Sequence, residues 1–222
     1  IRLFASSPQL ASSGAQSIEL FAIAKDENNN LLEGVTIKFS ADSGEIGSIL
    51  DDSGNSSDIT GADGKITKKL STQIDSSNRV ITVTVTTGDI SDSLEVQVVG
   101  TTLTLTGTAS LALNDEAIYV VNVLDSDGNG VAKTPVVISL SDVSTELPVS
   151  NVADIIIPTG VTTDSEGQAT IKVTGNTGGT NTIIVSALGA NASQNVSVQS
   201  DSFLFTNFNN GVVTVNPSNT PV

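Results

Sequence analysis

Apolar and polar residues alternate along this chain with a period of two. From Ile81 to Val85 the apolar side chains fall on one face, with Thr82 and Thr84 on the other. From Leu94 to Val98 the split recurs, with Glu95 and Gln97 outward. Ile66 and Leu70 flank Lys68 and Lys69 on a run that starts just after an Asp63-Gly64 turn. β-Branched residues dominate these runs, and no segment shows a helical stripe. Turn signals punctuate them: Asn28-Asn29-Asn30, Ser53-Gly54-Asn55, Asp63-Gly64, Thr87-Gly88-Asp89, Asp127-Gly128-Asn129-Gly130 and Gly178-Gly179. Many short strands with such punctuation predict an all-β protein built of sandwiches.

The pattern repeats once, with a period of about 100 residues, the size of an immunoglobulin-type sandwich. Lys25 to Leu32 answers to Leu124 to Val131, and Val35 to Ser40 to Val136 to Ser141. Thr60 to Ile66 answers to Thr163 to Ala169. Ile81 to Val85, running on to Gly88, answers to Thr182 to Ser186, running on to Gly189. Both halves close on an alternating strand, Leu94 to Val98 and Val196 to Val198. The expectation is one sandwich over residues 1–99 and a second over 100–200, joined at Gly100-Thr101-Thr102 without a Gly/Ser-rich or Pro-rich linker. So short a joint limits relative motion and favours an extended rod. Residues 201–222 do not repeat the end of the second half. They hold Phe203, Phe205 and Phe208, and read as the start of a third domain or as an added hairpin.

Composition narrows the function classes. The 222 residues are 38% apolar, with no apolar run long enough to span a bilayer as a helix. Cys, His, Met and Trp are all absent. That removes disulfides, thiol chemistry, His- or Cys-based zinc sites and a Ser-His-Asp triad. Ser-Lys chemistry and carboxylate pairs for glycoside cleavage stay formally open, but the lysines read mostly outward and the acids cluster in turns, and no enzyme is expected. A chain starting at Ile1 with no Met reads as an excised piece of a longer protein. The net charge of −15 argues against nucleic acid and anionic membranes as partners. The seven lysines read mostly as outward-facing, and no inward Lys beside a carboxylic acid stands out as a candidate for an isopeptide crosslink.

The order of motifs resembles the bacterial immunoglobulin-like repeats of the invasin and intimin adhesin group. Asp125 to Val131, Pro135 to Leu140, Thr163 to Ala169, Asn181 to Gly189 and Val196 to Val198 follow that group's sequence of an Asp-rich turn, a Val-rich strand, a Thr-to-Gly step, an alternating strand and a closing Val-x-Val. Asp26 to Leu32, Gly34 to Phe39, Thr60 to Ile66, Val80 to Gly88 and Leu94 to Val98 do the same in the first repeat. The resemblance implies a stalk or spacer module of a bacterial adhesin, at the cell surface, outer-membrane-associated or secreted, whose partners are neighbouring repeats of the parent chain. The alternative is a repeat that itself binds a host, matrix or neighbouring-cell ligand. Aromatic residues make up 3% of the chain, and the single Tyr119 falls in a strand, which favours the spacer.

One turn has the chemistry of a metal site. Asp125, Asp127 and Asn129 place oxygens at alternate positions, with Gly128 and Gly130 for the bend, as in the first half of a calcium-binding helix-loop-helix loop. The twelfth position of such a loop is Val136 rather than Glu, so the full motif is absent. Two readings stand: a calcium turn completed by distant carboxylates, or a β-turn with Gly and Asn in left-handed conformations. Asp26 and Glu27 offer a thinner version in the first repeat, and Asp51-Asp52 and Asp89 to Asp92 read as solvated acidic loops.

Overall fold

Alternation decides which side of each strand is buried, and the strands follow from it. The computed structural model describes residues 1–49, 57–141, 153–199, 203–209 and 212–217. In the first half lie β1 (Arg2–Ala5), β2 (Gln9–Ala11), β3 (Ser17–Ile23), β4 (Lys38–Ala41), β5 (Glu45–Ser48), β6 (Lys65–Ser71), β7 (Arg79–Thr87) and β8 (Ile90–Val99). They form two four-stranded sheets, ordered β1-β3-β6-β5 and β2-β8-β7-β4. In the second half lie β9 (Thr102–Thr106), β10 (Ser110–Ala112), β11 (Glu116–Leu124), β12 (Pro135–Ser141), β13 (Ile155–Ile156), β14 (Val161–Thr162), β15 (Gln168–Gly175), β16 (Gly179–Ala187) and β17 (Ala190–Gln199). Their sheets run β13-β15-β11-β9 and β10-β17-β16-β12-β14. The tail forms β18 (Phe203–Asn209) and β19 (Val212–Pro217), paired antiparallel with a register shift between Phe205 and Phe208. No helix occurs among the described residues, and the chain is a tandem of all-β sandwiches.

Each sandwich has its own core. Leu20, Ile37, Leu70, Ile81, Val83, Val85, Val96 and Val98 fill the first. Tyr119, Val121, Ile171, Val173, Ile183, Val185 and Val196 fill the second. Burying one such aliphatic side chain stabilises the fold by roughly 1.5–3 kcal/mol, so the facing sheets hold without crosslinks. The opening stretch of each sandwich serves both sheets. β1 pairs antiparallel with β3, whereas β2 crosses over and pairs parallel with β8. β9, β10, β11 and β17 repeat the arrangement. In the second sandwich the crossover is shaped by Tyr119, whose hydroxyl donates to the Thr108 carbonyl at 2.5 Å. Its ring lies where a side chain at Gly107 would go, with an added Cβ only 2.0 Å from Cδ1.

Three expectations from the sequence are corrected. The hairpins β7–β8 and β16–β17 superpose at a spacing of 100, since Thr87 pairs with Ile90 and Ala187 with Ala190. Ile81 therefore corresponds to Asn181, not Thr182, and Gly88 to Leu188. A slip of one residue exchanges the faces of a strand. Asn181 is buried where Ile81 is, and its amide donates to the Ala153 carbonyl at 3.1 Å. Second, Lys68 points inward, in phase with Ile66 and Leu70, and is 5% exposed. Its aliphatic stem lies in the core while the ammonium reaches Asp58 Oδ1 at 2.6 Å, the Ser57 carbonyl at 3.0 Å and Ser48 Oγ at 3.3 Å. An inward lysine beside a carboxylate thus exists. Third, Asp92 lies within β8 rather than in a loop, and its Oδ2 accepts the Leu3 N–H at 2.9 Å, tying β1 to the opposite sheet. Asp51 and Asp52 fall outside the described residues.

A buried threonine closes the same gap in both sandwiches. Thr60 Oγ1 donates to the Leu32 carbonyl at 2.6 Å and accepts the Val35 N–H at 3.0 Å. Thr163 Oγ1 donates to the Val131 carbonyl at 2.7 Å and accepts the Thr134 N–H at 2.9 Å. Valine has the same shape and neither capability. Thr60→Val and Thr163→Val should each cost about 2–4 kcal/mol in urea unfolding, because two buried backbone groups lose their partner. Thr82→Val, on the outer face, should change stability by less than about 0.5 kcal/mol.

Candidate functional site

The two sandwiches meet at a joint built from polar side chains. On the first sandwich it is formed by the β2–β3 turn, with Ser12 and Ser13, and by the β6–β7 loop, with Ser76 and Asn78. On the second it is formed by Thr101, by Ser126 in the β11–β12 turn, and by Leu188 and Gly189 in the β16–β17 hairpin. Ser12 Oγ accepts the Ser126 N–H at 3.0 Å, and Ser126 Oγ accepts the Ser13 N–H at 2.9 Å. Asn78 grips Thr101 with both ends of its amide, accepting the Thr101 N–H at 3.1 Å and donating to its carbonyl at 2.8 Å. Thr101 Oγ1 donates to the Ser76 carbonyl, and the Asn78 N–H donates to the Leu188 carbonyl at 2.8 Å. Ser12, Ser76 and Thr101 are all buried.

Two glycines allow this approach. Gly100 has φ of +108°, and a Cβ there would lie 2.5 Å from Ser126 Cβ. Gly189 has φ of +75°, and a Cβ there would lie 2.4 Å from the Asn78 carbonyl oxygen. Behind Asn78, Arg79 holds the loop in shape. Its Nη1 donates to the carbonyls of Asp75 and Ser77, both at 3.0 Å, and pairs with Asp75 Oδ2 at 3.2 Å. Burial pushes the Asp75 carboxyl up, but the hydroxyl and N–H of Ser77 and the Arg79 charge outweigh it and hold the group below its usual range. Each of these bonds contributes about 0.5–1.5 kcal/mol net. The covalent link keeps the two faces at high effective concentration, so a small polar contact suffices to fix their geometry.

The acidic turn abuts this joint. The structure brings Asp125, Asp127 and Asn129 into one tight bend. Asp125 Oδ1 accepts the N–H groups of Asp127 and Asn129, both at 2.9 Å, and Oδ2 accepts the Asn129 amide at 3.3 Å. Asp26 does the same with Asn28 and Asn30, at 2.8, 2.8 and 2.9 Å. Gly128 is left-handed at 82°, and Asn29 takes its place in the first repeat at 65°. The carboxylate at the head of each turn thus closes its own bend. Among the described residues no three His, Cys, Asp or Glu side chains are grouped to hold a metal ion. The residue that reading the turn as a ligand loop overlooks is Ser126, whose partners Ser12 and Ser13 lie 114 and 113 positions away. No local signal could reveal it.

Loss of the Asn78 amide leaves the Thr101 N–H and carbonyl unpaired. Asn78→Ala and Gly189→Ala should therefore split thermal unfolding into two calorimetric transitions, where the unsubstituted chain should show coupled ones. Acid should act through the carboxyls. The Asn30 amide and N–H lower the pKa of Asp26, the Thr82 N–H that of Asp42 and the Leu3 N–H that of Asp92, along with Asp75. A lowered folded-state pKa gives stability that is fully present above the ordinary value near 4 and is lost as pH falls through the folded values. The thermal midpoint should be flat from about pH 7 to 5 and fall below about pH 4. Excess calcium and chelator should give the same midpoint, because the Asp125 carboxylate already has its donors; a rise of several degrees with calcium would instead establish a metal turn.

Residues 1–99 match the model of the bacterial Ig-like domain, group 1. No curated protein gives a significant match. Among solved structures the chain is similar to the Yersinia pseudotuberculosis adhesin InvE, with 18% identity, a TM-score of 0.54 and coverage of 88% of this chain and 58% of that one. It is also similar to invasin, a bacterial integrin-binding protein, with 18% identity, a TM-score of 0.42 and coverage of 90% and 40%. A C-terminal 282-residue intimin fragment, solved with the intimin-binding domain of the translocated intimin receptor, gives 15% identity, a TM-score of 0.37 and coverage of 91% and 64%. The chain thus spans less than two thirds of each of these structures, and at such identities the InvE likeness is one of fold. The match over residues 1–99 bears out the resemblance carried by the order of motifs, which is to bacterial Ig-like domains of group 1, and the second sandwich repeats the same all-β fold.

Proposed function

We propose that this chain is a spacer segment of a bacterial surface adhesin, which holds a binding domain at a distance from the cell. The joint carries the reading. Bonds from Ser12, Ser13, Ser76 and Asn78 fix the second sandwich on the first, and Gly100 and Gly189 let the backbones close. A freely jointed pair of binding modules has no use for such a lock, whereas a spacer must keep its direction. The family match and the fold shared with an adhesin support the cell-surface setting, outer-membrane-associated or secreted. Neighbouring repeats are then the first partners. β18 follows β17 by a step comparable to that from β8 to β9. On this reading residues 201–222 open a third sandwich rather than decorate the second.

Residual dipolar couplings test the spacer directly. Amides of β3, β6, β7 and β8 and those of β11, β15, β16 and β17 should fit one alignment tensor. Two tensors of clearly different magnitude would mean independent tumbling and would sink the reading.

A further inference from the structure

We propose that Asn129 is a site of spontaneous covalent modification: its side chain cyclises onto the Gly130 backbone nitrogen and reopens as an aspartyl or isoaspartyl link, which loosens the joint between the sandwiches. The inference rests on the geometry of the joint and not on the spacer reading.

The reaction needs only water and hydroxide. The Gly130 nitrogen gives its proton to hydroxide and attacks Asn129 Cγ. The Cγ–Nδ2 bond breaks, ammonia leaves, and a succinimide ring closes. Water then adds to one of the two ring carbonyls, and the bond from that carbonyl to the ring nitrogen breaks. Opening at the side-chain carbonyl gives the ordinary aspartyl link. Opening at the backbone carbonyl routes the main chain through Cβ and Cγ, the isoaspartyl link. The net change is O in place of NH.

The attacking nitrogen is free at this position and taken at others. Asn129 is exposed. Gly130 sets no side chain beside its nitrogen. The backbone bonds of the turn pass to either side of it: the Asp125 N–H donates to the Asn129 carbonyl and the Val131 N–H to the Val123 carbonyl, both at 2.9 Å. The Gly130 N–H has no acceptor among the described residues. In both Asp-Gly pairs the corresponding N–H is engaged, Gly64 donating to the Gly61 carbonyl at 2.8 Å and Gly128 to the Asp125 carbonyl at 3.1 Å. The first repeat is an internal control. The bridges Lys25–Leu31 and Leu124–Gly130 equate Asn30 with Asn129. The turn is the same there, with the Asp26 N–H on the Asn30 carbonyl and the Leu32 N–H on the Ala24 carbonyl, both at 3.0 Å. But Leu31 follows Asn30, and its branched side chain crowds the nitrogen. The amide that must leave is also held closer there, at 2.9 Å from Asp26 Oδ2 against 3.3 Å from Asp125 Oδ2.

The product disturbs what the turn holds. Asp125 closes the bend by accepting the Asn129 N–H on Oδ1 and its amide on Oδ2. With the aspartyl link, a second carboxylate meets Asp125 where a donor stood, and like charges repel. The isoaspartyl link adds a methylene to the main chain inside the bend. Ser126 lies in that bend, with its N–H on Ser12 Oγ at 3.0 Å and its Oγ accepting the Ser13 N–H at 2.9 Å. Ser12 is buried, so chemistry at an exposed tip reaches a contact that solvent does not.

Ageing of the 222-residue chain at mildly alkaline pH tests the site. The readouts are peptide mapping by mass spectrometry, methyl labelling by an isoaspartyl methyltransferase, and amide NMR. Position 129 should exchange NH for O about tenfold faster than Asn30 or more, with the isoaspartyl form among the products, because the two turns differ in the glycine. The Ser13 and Ser126 amide signals should shift as the product accumulates. Asn129→Gln, which must close a larger ring, should stay unmodified there and keep the Ser13 signal in place. Leu31→Gly, at an exposed position, should open the same reaction at Asn30. Equal rates at Asn30 and Asn129 in the unsubstituted chain, isoaspartate at Asp63 or Asp127 as fast as at position 129, no gain at Asn30 in Leu31→Gly, or a Ser13 signal unmoved by the modification would each overturn the proposal.

Discussion

A strand satisfies its backbone through its neighbours, but the chain must leave one sheet to enter the next, and there its N–H and C=O groups lose their partners. Water cannot reach all of these places, and this protein has no cysteine to fasten them. Hydroxyl and amide side chains take over. Thr60 and Thr163 bridge carbonyl and N–H in the two sandwiches, Tyr119 closes the crossover beside Gly107, and Asn181 ties an interior strand to Ala153. The joint uses the same device between sandwiches that the threonines use within them. A hydroxyl and a carboxamide are small, neutral and able both to donate and to accept, so they satisfy buried backbone at little desolvation cost.

The strands were legible because alternation encodes the side that is buried, and the repeat was legible because turn residues recur in order. Where the sequence reading failed, each failure has a physical cause. The apolar run Ile183-Ile184-Val185 satisfies either face, so it did not show that Asn181 is the residue standing in for Ile81. Lys68 was in phase with Ile66 and Leu70 all along; its charge obscured an inward position that its long stem makes tolerable. Asp92 looked like part of an acidic loop because its partner, Leu3, lies 89 positions away. The joint was foreseen only as a short linker, since its contacts span 23 to 114 positions.

The two sandwiches show how much surface a conserved scaffold leaves free. Their registers and turns agree, yet one carries Arg2, Phe4, Phe21, Lys25 and Lys65 on a sheet face where the other carries Thr104, Thr106, Val120, Leu124 and Gln168. Cores and clips tolerate little change because packing and buried polar groups are costly to disturb. Outward positions answer to no such constraint and are free to differ between the two sandwiches.

The crossover at the start of each sandwich has a mechanical consequence. β2 runs parallel to β8, with Gln9, Leu10 and Ala11 opposite Gln97, Val98 and Val99, and β10 runs parallel to β17 in the same way. The second and last strands of each module are therefore bonded to each other. A pull on the two chain ends drags these strands past one another along their length. Their hydrogen bonds are loaded together in shear instead of opening one by one, so tension along the chain falls on the element best placed to resist it.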